Sequence, residues 1–258
     1  MVEYEVIGRI AVITLNRPEA RNAINGEVAI AMEAAIDKME EDDQVWAGVL
    51  RANTDGQERP VFCAGADLKA INSGQGATLA TAKGGFAGLV YRDRKKPLIA
   101  AVDGLATAGG CEIVLSCDMV VASSRSSFGL AEAKRNLVAG AGGLYRLPHA
   151  IGRNVAMELI LTGEPLAAER AHQLGLVNRL VEPGEAYDAA MALAGQVTAA
   201  APMAVWESRK VVLASTYEDE ATLRKMTNEA FGRVMGSEDL KEGLTAFIEK
   251  RPPIWQGR

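Results

Sequence analysis

Residues 98–122 read LIAAVDGLATAGGCEIVLSCDMVVA, and the order of features within this stretch decides the fold class. Leu98 to Val102 is an apolar run of strand length, and Asp103-Gly104 with the small residues Leu105 to Gly110 marks a turn. A helix carrying Glu112, Ile113, Val114 and Leu115 follows, and Met119 to Ala122 returns to a buried strand. Strand, turn, helix and strand in succession predict an α/β architecture in which helices cover a sheet.

The same pattern extends toward both ends. Tyr4 to Ile7 and Ile10 to Leu15 alternate around Gly8-Arg9 as a hairpin requires. From Glu27 to Glu40, Val28, Met32, Ala35, Ile36 and Met39 recur at helical spacing, and Val45 to Leu50 reads as a buried strand. Asn72 to Gly85 is rich in Gly, Ala, Ser and Thr, which predicts a mobile connection leading into a helix that bears Phe86, Leu89 and Val90. Beyond Gly140-Ala141-Gly142-Gly143 the pattern becomes helical at Val155 to Leu161, Leu166 to Leu174 and Ala186 to Ala200, with one strand near Leu176 to Val181. Helices at Met203 to Ala214, Ala221 to Met235 and Asp239 to Lys250 complete an α/β core with a helical C-terminal third.

At 258 residues, with 48% hydrophobic and 24% charged side chains, the chain can bury one large core. Its net charge of -5 includes no basic block suited to nucleic acid. Met1-Val2-Glu3-Tyr4-Glu5 has neither the basic nor the apolar part of a signal peptide, and no apolar run of about 20 residues occurs, so a cytoplasmic protein without a membrane span is expected. Cys63, Cys111 and Cys117 are too few for a disulfide framework and suit a reducing compartment.

Several chemistries fail on inventory. His149 and His172 are too far apart for a helical metal pair and have no ligand cluster beside them, so no metal is expected. Gly104 to Gly109 has Walker-type spacing, but Gly110 and Cys111 stand where a lysine and a hydroxyl are needed. Gly140 to Tyr145 starts like a dinucleotide loop but places Tyr145 at the last small-residue position. No G-x-S-x-G elbow occurs.

Two glycine turns and two carboxylates remain. Cys63-Ala64-Gly65-Ala66-Asp67-Leu68 joins a strand end to a helix start, and Gly104 through Glu112 does the same. Each can expose a free N–H to developing negative charge or can serve packing alone. Two such N–H groups converging on one carbonyl would form an oxyanion hole. Glu112, in the first turn of an apolar helix, is either a partly buried acid or base or a complement to the helix dipole. Glu132, followed by Lys134 and Arg135, is either a second acid or base or a solvated ion-pair partner.

Taken together, Cys63 through Lys69, Gly104 through Glu112, Cys117-Asp118, Phe128-Gly129 through Glu132 and Gly140 to Gly143 resemble the enoyl-CoA hydratase/isomerase family, the crotonases. Asn16-Arg17-Pro18, Arg21 to Asn25, Leu161-Thr162-Gly163 and Gly175-Leu176-Val177 add to the likeness, which covers essentially the whole chain. The resemblance implies a spiral of ββα units in residues 1–195. Residues 196–258 would form a helical region for oligomerisation and for covering the site, giving a homotrimer or a dimer of trimers.

By the same resemblance, the N–H groups of Ala66 and Gly109 would hold a thioester oxygen. Arg21, Ala23, Ala64, Asp67 and Leu68 would border the coenzyme A arm, with Lys250 near its phosphates. Glu112 would deprotonate a water attacking C3 and Glu132 would protonate C2, making the chain an enoyl-CoA hydratase in fatty acid metabolism. No separate cofactor is expected, because coenzyme A belongs to the substrate.

Leu130-Ala131 stands where many hydratases of the mitochondrial type have Gln-Pro, and Ala139 and Leu144-Tyr145 also depart from their pattern. These changes surround the acyl pocket and leave chain length and substitution open. An enoyl-CoA isomerase or a carnitinyl-CoA dehydratase-like enzyme is the alternative. A noncatalytic acyl-CoA-binding or RNA-binding protein is a rival that paired glutamates and an acidic balance disfavour.

Overall fold

The computed structural model describes residues 1–258. The chain opens with β1 (Val2–Ile7), β2 (Ile10–Leu15), α1 (Gly26–Glu41), β3 (Ala47–Ala52), β4 (Val61–Cys63) and α2 (Leu68–Asn72). A short hairpin, β5 (Ala80–Thr81) and β6 (Gly85–Phe86), precedes β7 (Leu98–Val102), β8 (Leu105–Thr107), α3 (Gly109–Leu115), β9 (Met119–Ser123) and β10 (Ser127–Gly129). There follow α4 (Gly143–Ile151), α5 (Arg153–Thr162), β11 (Leu166–Ala167), α6 (Ala168–Gln173), β12 (Arg179–Val181) and α7 (Ala186–Thr198). Three helices end the chain: α8 (Pro202–Ala214), α9 (Glu220–Met235) and α10 (Glu238–Glu249).

Two sheets hold every strand but β5 and β6, which pair only with each other. The larger has the order β1-β2-β3-β7-β9-β12 and the smaller β11-β10-β8-β4. Only the β1–β2 and β10–β11 pairs in these sheets are antiparallel. Each turn of chain lays one strand in the large sheet, the next in the small sheet, and then a helix or helical turn: β3-β4-α2, β7-β8-α3, and β9-β10 with the 3-10 turn Glu132–Arg135. This is the expected spiral of ββα units, and it brings the end of every small-sheet strand to one edge.

Alternation fixes which side chains fill the interior. Leu98, Ala100 and Val102 of β7 join the main core, whereas Ile99 and Ala101 face Ala190 and Ala194 of α7 on the outer side. Helix α1 starts where the Asn25 side chain accepts from the Val28 N–H at 2.9 Å. At its other end the buried Lys96 ammonium donates to the carbonyls of Met39 and Asp42, both at 2.7 Å, satisfying acceptors that a helix end leaves unmade.

The C-terminal helices are tied to this body by few but specific contacts. The indole of Trp206 donates to the Trp46 carbonyl at 3.1 Å. Arg209 of α8 reaches Asp118 at 2.9 Å, and Asp118 also pairs with the buried Arg94 and accepts from the Leu98 N–H. Elsewhere these helices leave Val212, Phe231, Phe247 and Ile248 exposed. No single helix is long and apolar enough to cross a membrane.

Four expectations differ from the structure. No helix carries Phe86, Leu89 and Val90: Gly85, Ala87 and Gly88 all have positive φ, which breaks the helical path, and a two-residue strand and turns stand there instead. The connection from Asn72 to Gly85 contains a 3-10 turn, Gly76–Leu79, whose Leu79 is buried, and then the β5–β6 hairpin. The strand near Leu176 is confined to Arg179–Val181, and Leu166 belongs to β11 rather than to the helix after it.

Candidate active site

The edge where the ββα units converge holds a cleft of about 1090 Å³. Its lining includes Arg21, Ala23, Ala64, Ala66, Asp67, Leu68, Gly109, Glu112 and Glu132, so all the sequence-predicted site residues but one meet there. Lys250 is the exception. It caps α10 in the left-handed conformation, is exposed, and does not line the cleft of its own chain, because α10 lies among the terminal helices.

The two glycine turns touch back to back. A Cβ at Gly65 would stand 2.8 Å from the Gly109 nitrogen, and one at Gly110 only 2.1 Å from the Cys63 carbonyl oxygen. Only hydrogen fits at these positions. Ala66 forms a parallel bridge to Ile24, made by the Ile24 N–H to Gly65 and the Asp67 N–H to Ile24, both 2.8 Å. In such a bridge the central residue's own amide points the other way, and the Ala66 N–H makes no hydrogen bond within the chain.

Gly109 opens α3, where an N–H has no acceptor inside the helix. The residue before it, Ala108, has φ 52° and ψ −129°, a conformation that L side chains resist. Strain at this one position accompanies the abrupt turn from β8 into α3. The arrangement therefore places two backbone donors, from Ala66 and Gly109, on adjacent walls of one cleft.

The two carboxylates differ in environment. Glu112 is 3% exposed, and one of its oxygens, Oε1, accepts from the N–H groups of Ala141 at 2.7 Å and Gly143 at 2.9 Å. Burial raises its pKa, opposed by those two hydrogen bonds and by the charge of Arg146. Glu132 begins the 3-10 turn after β10, and its Oε2 is shut away without a hydrogen-bond partner. Burial first, and the nearby Glu112 charge, push its pKa up to about 7 despite a hydrogen bond from its own N–H and the charge of Arg135. The pair therefore combines a carboxylate anchored by two amides with an acid that holds its proton near neutrality.

Other groups complete the cleft. Arg17, which sequence reasoning leaves without a role in the site, pairs with Asp67 at 2.7 Å, while Asp67 also caps α2 by accepting from Lys69 N–H at 3.0 Å. The Asp67 carboxylate is thereby committed to the loop, and its pKa is lowered, first by the Arg17 hydrogen bond. Arg17, Arg21, Lys69 and Arg135 give the lining a cationic share, and Phe86, Leu105, Leu137 and Val138 an apolar one. Cys63 donates its thiol to the Asn22 carbonyl, and burial pushes its pKa up to about 12, so it is a spacer rather than a nucleophile. No group of three His, Cys, Asp or Glu side chains is arranged to hold a metal ion.

Known proteins share this architecture. A family model described as enoyl-CoA hydratase/isomerase matches residues 5–258. A short-chain-enoyl-CoA hydratase of Clostridium acetobutylicum is 38% identical over 254 residues, covering 97% of this chain and 95% of that protein. A carnitinyl-CoA dehydratase of Salmonella paratyphi A is 38% identical over 256 residues, covering 97% and 96%. The crystal structure of an enoyl-CoA hydratase from Mycobacterium tuberculosis is 44% identical, covers 100% of this chain and 99% of its own, and superimposes with a TM-score of 0.93. With a match that spans nearly every residue and a spiral that carries the same fold, the chain belongs to the enoyl-CoA hydratase/isomerase family.

Proposed function

We propose that the protein is an enoyl-CoA hydratase, a hydro-lyase that adds water across the 2,3 double bond of a 2-enoyl-CoA thioester. The observation that carries this reading is the unlike pair in one cleft: Glu112, anchored through Oε1 by two amides, and Glu132, whose buried Oε2 has no partner. An isomerase can work with one proton-shuttling carboxylate. Hydration needs a second group to orient the water.

The amides of Ala66 and Gly109 would hold the thioester oxygen as it gains negative charge, which stabilises the enolate most where charge is greatest. Glu112 accepts a proton from the water whose oxygen bonds to C3, and Glu132 gives its proton to C2. Proton return from Glu112 to Glu132 closes the cycle. Arg17, Arg21 and Lys69 lie beside Ala23, Ala64 and Leu68 in the lining and suit the anionic coenzyme A arm. Exposed Val212, Phe231, Phe247 and Ile248 on the terminal helices support a homotrimer, alone or as a dimer of trimers.

A carnitinyl-CoA dehydratase-like activity is the second reading, favoured by relatives of that name with the same 38% identity as the short-chain hydratase. It would use the same carboxylates on a substituted acyl group. The test is loss of the ultraviolet absorbance of crotonyl-CoA against that of crotonobetainyl-CoA. Turnover of crotonyl-CoA at a higher kcat/KM supports the first reading, the reverse supports the second, and turnover of neither, nor of longer 2-enoyl-CoAs, overturns both.

A further inference from the structure

The amides that anchor Glu112 belong to a glycine-rich loop, and such a loop holds a carboxylate only if something else holds the loop. Two side chains do so. The hydroxyl of Tyr91 donates to the Gly140 carbonyl at 2.7 Å. Arg146 donates from Nη1 to the Ala141 carbonyl at 3.3 Å and from Nη2 to the Val90 carbonyl at 2.6 Å, joining the loop to the segment that carries Tyr91. The Arg146 guanidinium also lies 5.7 Å from the centre of the Tyr91 ring.

The position of Arg146 is electrostatically unfavourable in its own element. It is the fourth residue of α4, near the helix start, where a cation opposes the helix dipole. No carboxylate lies within ion-pair distance of it to compensate. A cation placed against its helix dipole and left without a salt bridge has a reason elsewhere, and Glu112 is the acid whose charge it opposes. Glu112 shares the cleft lining with Glu132, Tyr91 and Arg135, while Cys111 precedes it on α3; Arg146 of α4 is the cation whose charge lowers the Glu112 pKa against the effect of burial.

We propose that Arg146 is a positioning residue for Glu112: with Tyr91 it clamps the Gly140–Gly143 loop whose amides anchor one carboxylate oxygen, and its cation compensates the negative charge of that carboxylate. The catalytic part of this inference rests on the hydratase reading, while the electrostatic part does not.

Two measurements separate them. The first is the titration of Glu112 by carbon-13 NMR of glutamate-labelled protein, assigned with Glu112→Gln, in the native chain, Arg146→Met and Arg146→Lys. The Glu112 midpoint rises in Arg146→Met and stays in place in Arg146→Lys. The second is the pH profile of kcat with crotonyl-CoA. Arg146→Met loses roughly tenfold to a hundredfold at neutral pH, the range expected when a catalytic group is loosened, and its acid limb moves upward. Arg146→Lys keeps the limb but loses kcat severalfold, because an ammonium cannot span both carbonyls. Tyr91→Phe also loses kcat severalfold with the midpoint unmoved.

An unmoved midpoint and limb in Arg146→Met overturn the inference, leaving Arg146 with a packing role only. Should Arg146→Met fail to fold, Arg146→Lys decides: native kcat with a native midpoint overturns the clamp. A native protein inert toward crotonyl-CoA counts against the hydratase reading, and the NMR midpoints still decide the electrostatic claim.

Discussion

Replacing Glu132 by glutamine is expected to abolish turnover while making the folded chain more stable above neutrality. The Glu132 carboxyl, pushed from its ordinary value of 4.5 up to about 7, binds its proton more tightly folded than unfolded. The sign follows from linkage: between these two values the native state holds more protons, so stability falls as pH rises through that window. Below it the carboxyl is neutral in both states and costs nothing. Above it the folded chain carries an unfavourable buried charge that glutamine removes. The full shift corresponds to about 3 kcal/mol, and partial contact of Glu132 with the solvent-filled cleft reduces this to about 1 kcal/mol. For a chain of this size that is a rise in Tm of about 2–4 °C. Thermal melts of native and Glu132→Gln protein at pH 4 and pH 8 test it. Equal melting temperatures at pH 4 and a more stable variant at pH 8 are expected; a variant no more stable at pH 8 would refute the placement of Glu132 as a strained, proton-holding acid.

Glu112→Gln keeps an oxygen for the Ala141 and Gly143 amides but cannot take a proton, so kcat should fall roughly 10²- to 10⁴-fold with the melting temperature preserved; a loss below tenfold contradicts its role as base. The native pH profile of kcat should decline on the alkaline side through about pH 7, as Glu132 surrenders the proton that C2 requires, and a profile flat to pH 9 would remove Glu132 as the acid. Ala108→Gly relieves a backbone conformation that costs about 1–3 kcal/mol but adds unfolded-state freedom of about 0.5–1 kcal/mol, so denaturant unfolding should show a net gain of about 1 kcal/mol. Asp118→Ala strips Arg94 and Arg209 of their shared partner and should cost about 3–5 kcal/mol in the same assay; a loss under 1 kcal/mol would show those cations re-paired.

The legible parts of the fold were those with a repeating pattern. Leu98 to Val102 and Met119 to Ala122 read as strands, and Val28 to Met39 as a helix, because burial recurs over enough residues to set a period. The strands β4, β8 and β10 have three residues each, too short for alternation to register, although they carry the site to its edge. The helix expected over Phe86 to Val90 failed because the left-handed backbone at Ala87 leaves no mark in apolar spacing.

The site was legible as residue types at points in the chain, not as a geometry. Ala66 and Gly109 were singled out by the family resemblance rather than by their turns, and the contact of Gly65 with Gly109 depends on β4 lying beside β8, a pairing no local pattern reports. The glycine-rich Gly140–Gly143 loop invites a search for a phosphate, yet its amides serve a carboxylate of the same chain. Arg17 and Arg146 drew no assignment to the site, since their meaning lies in Asp67 for the one and in the Ala141 and Val90 carbonyls for the other, contacts that only the fold makes. Lys250 shows the converse: a cation at a helix end carries no signal of which cleft it faces.

The most direct test of the account is to incubate the native protein with crotonyl-CoA in heavy water enriched in heavy oxygen, and to locate both labels in the product by mass spectrometry. Water addition by Glu112 and Glu132 predicts one heavy oxygen at C3 and one deuterium at C2, with neither label incorporated by Glu112→Gln or Glu132→Gln. Deuterium without heavy oxygen, or full labelling by either variant, would contradict it.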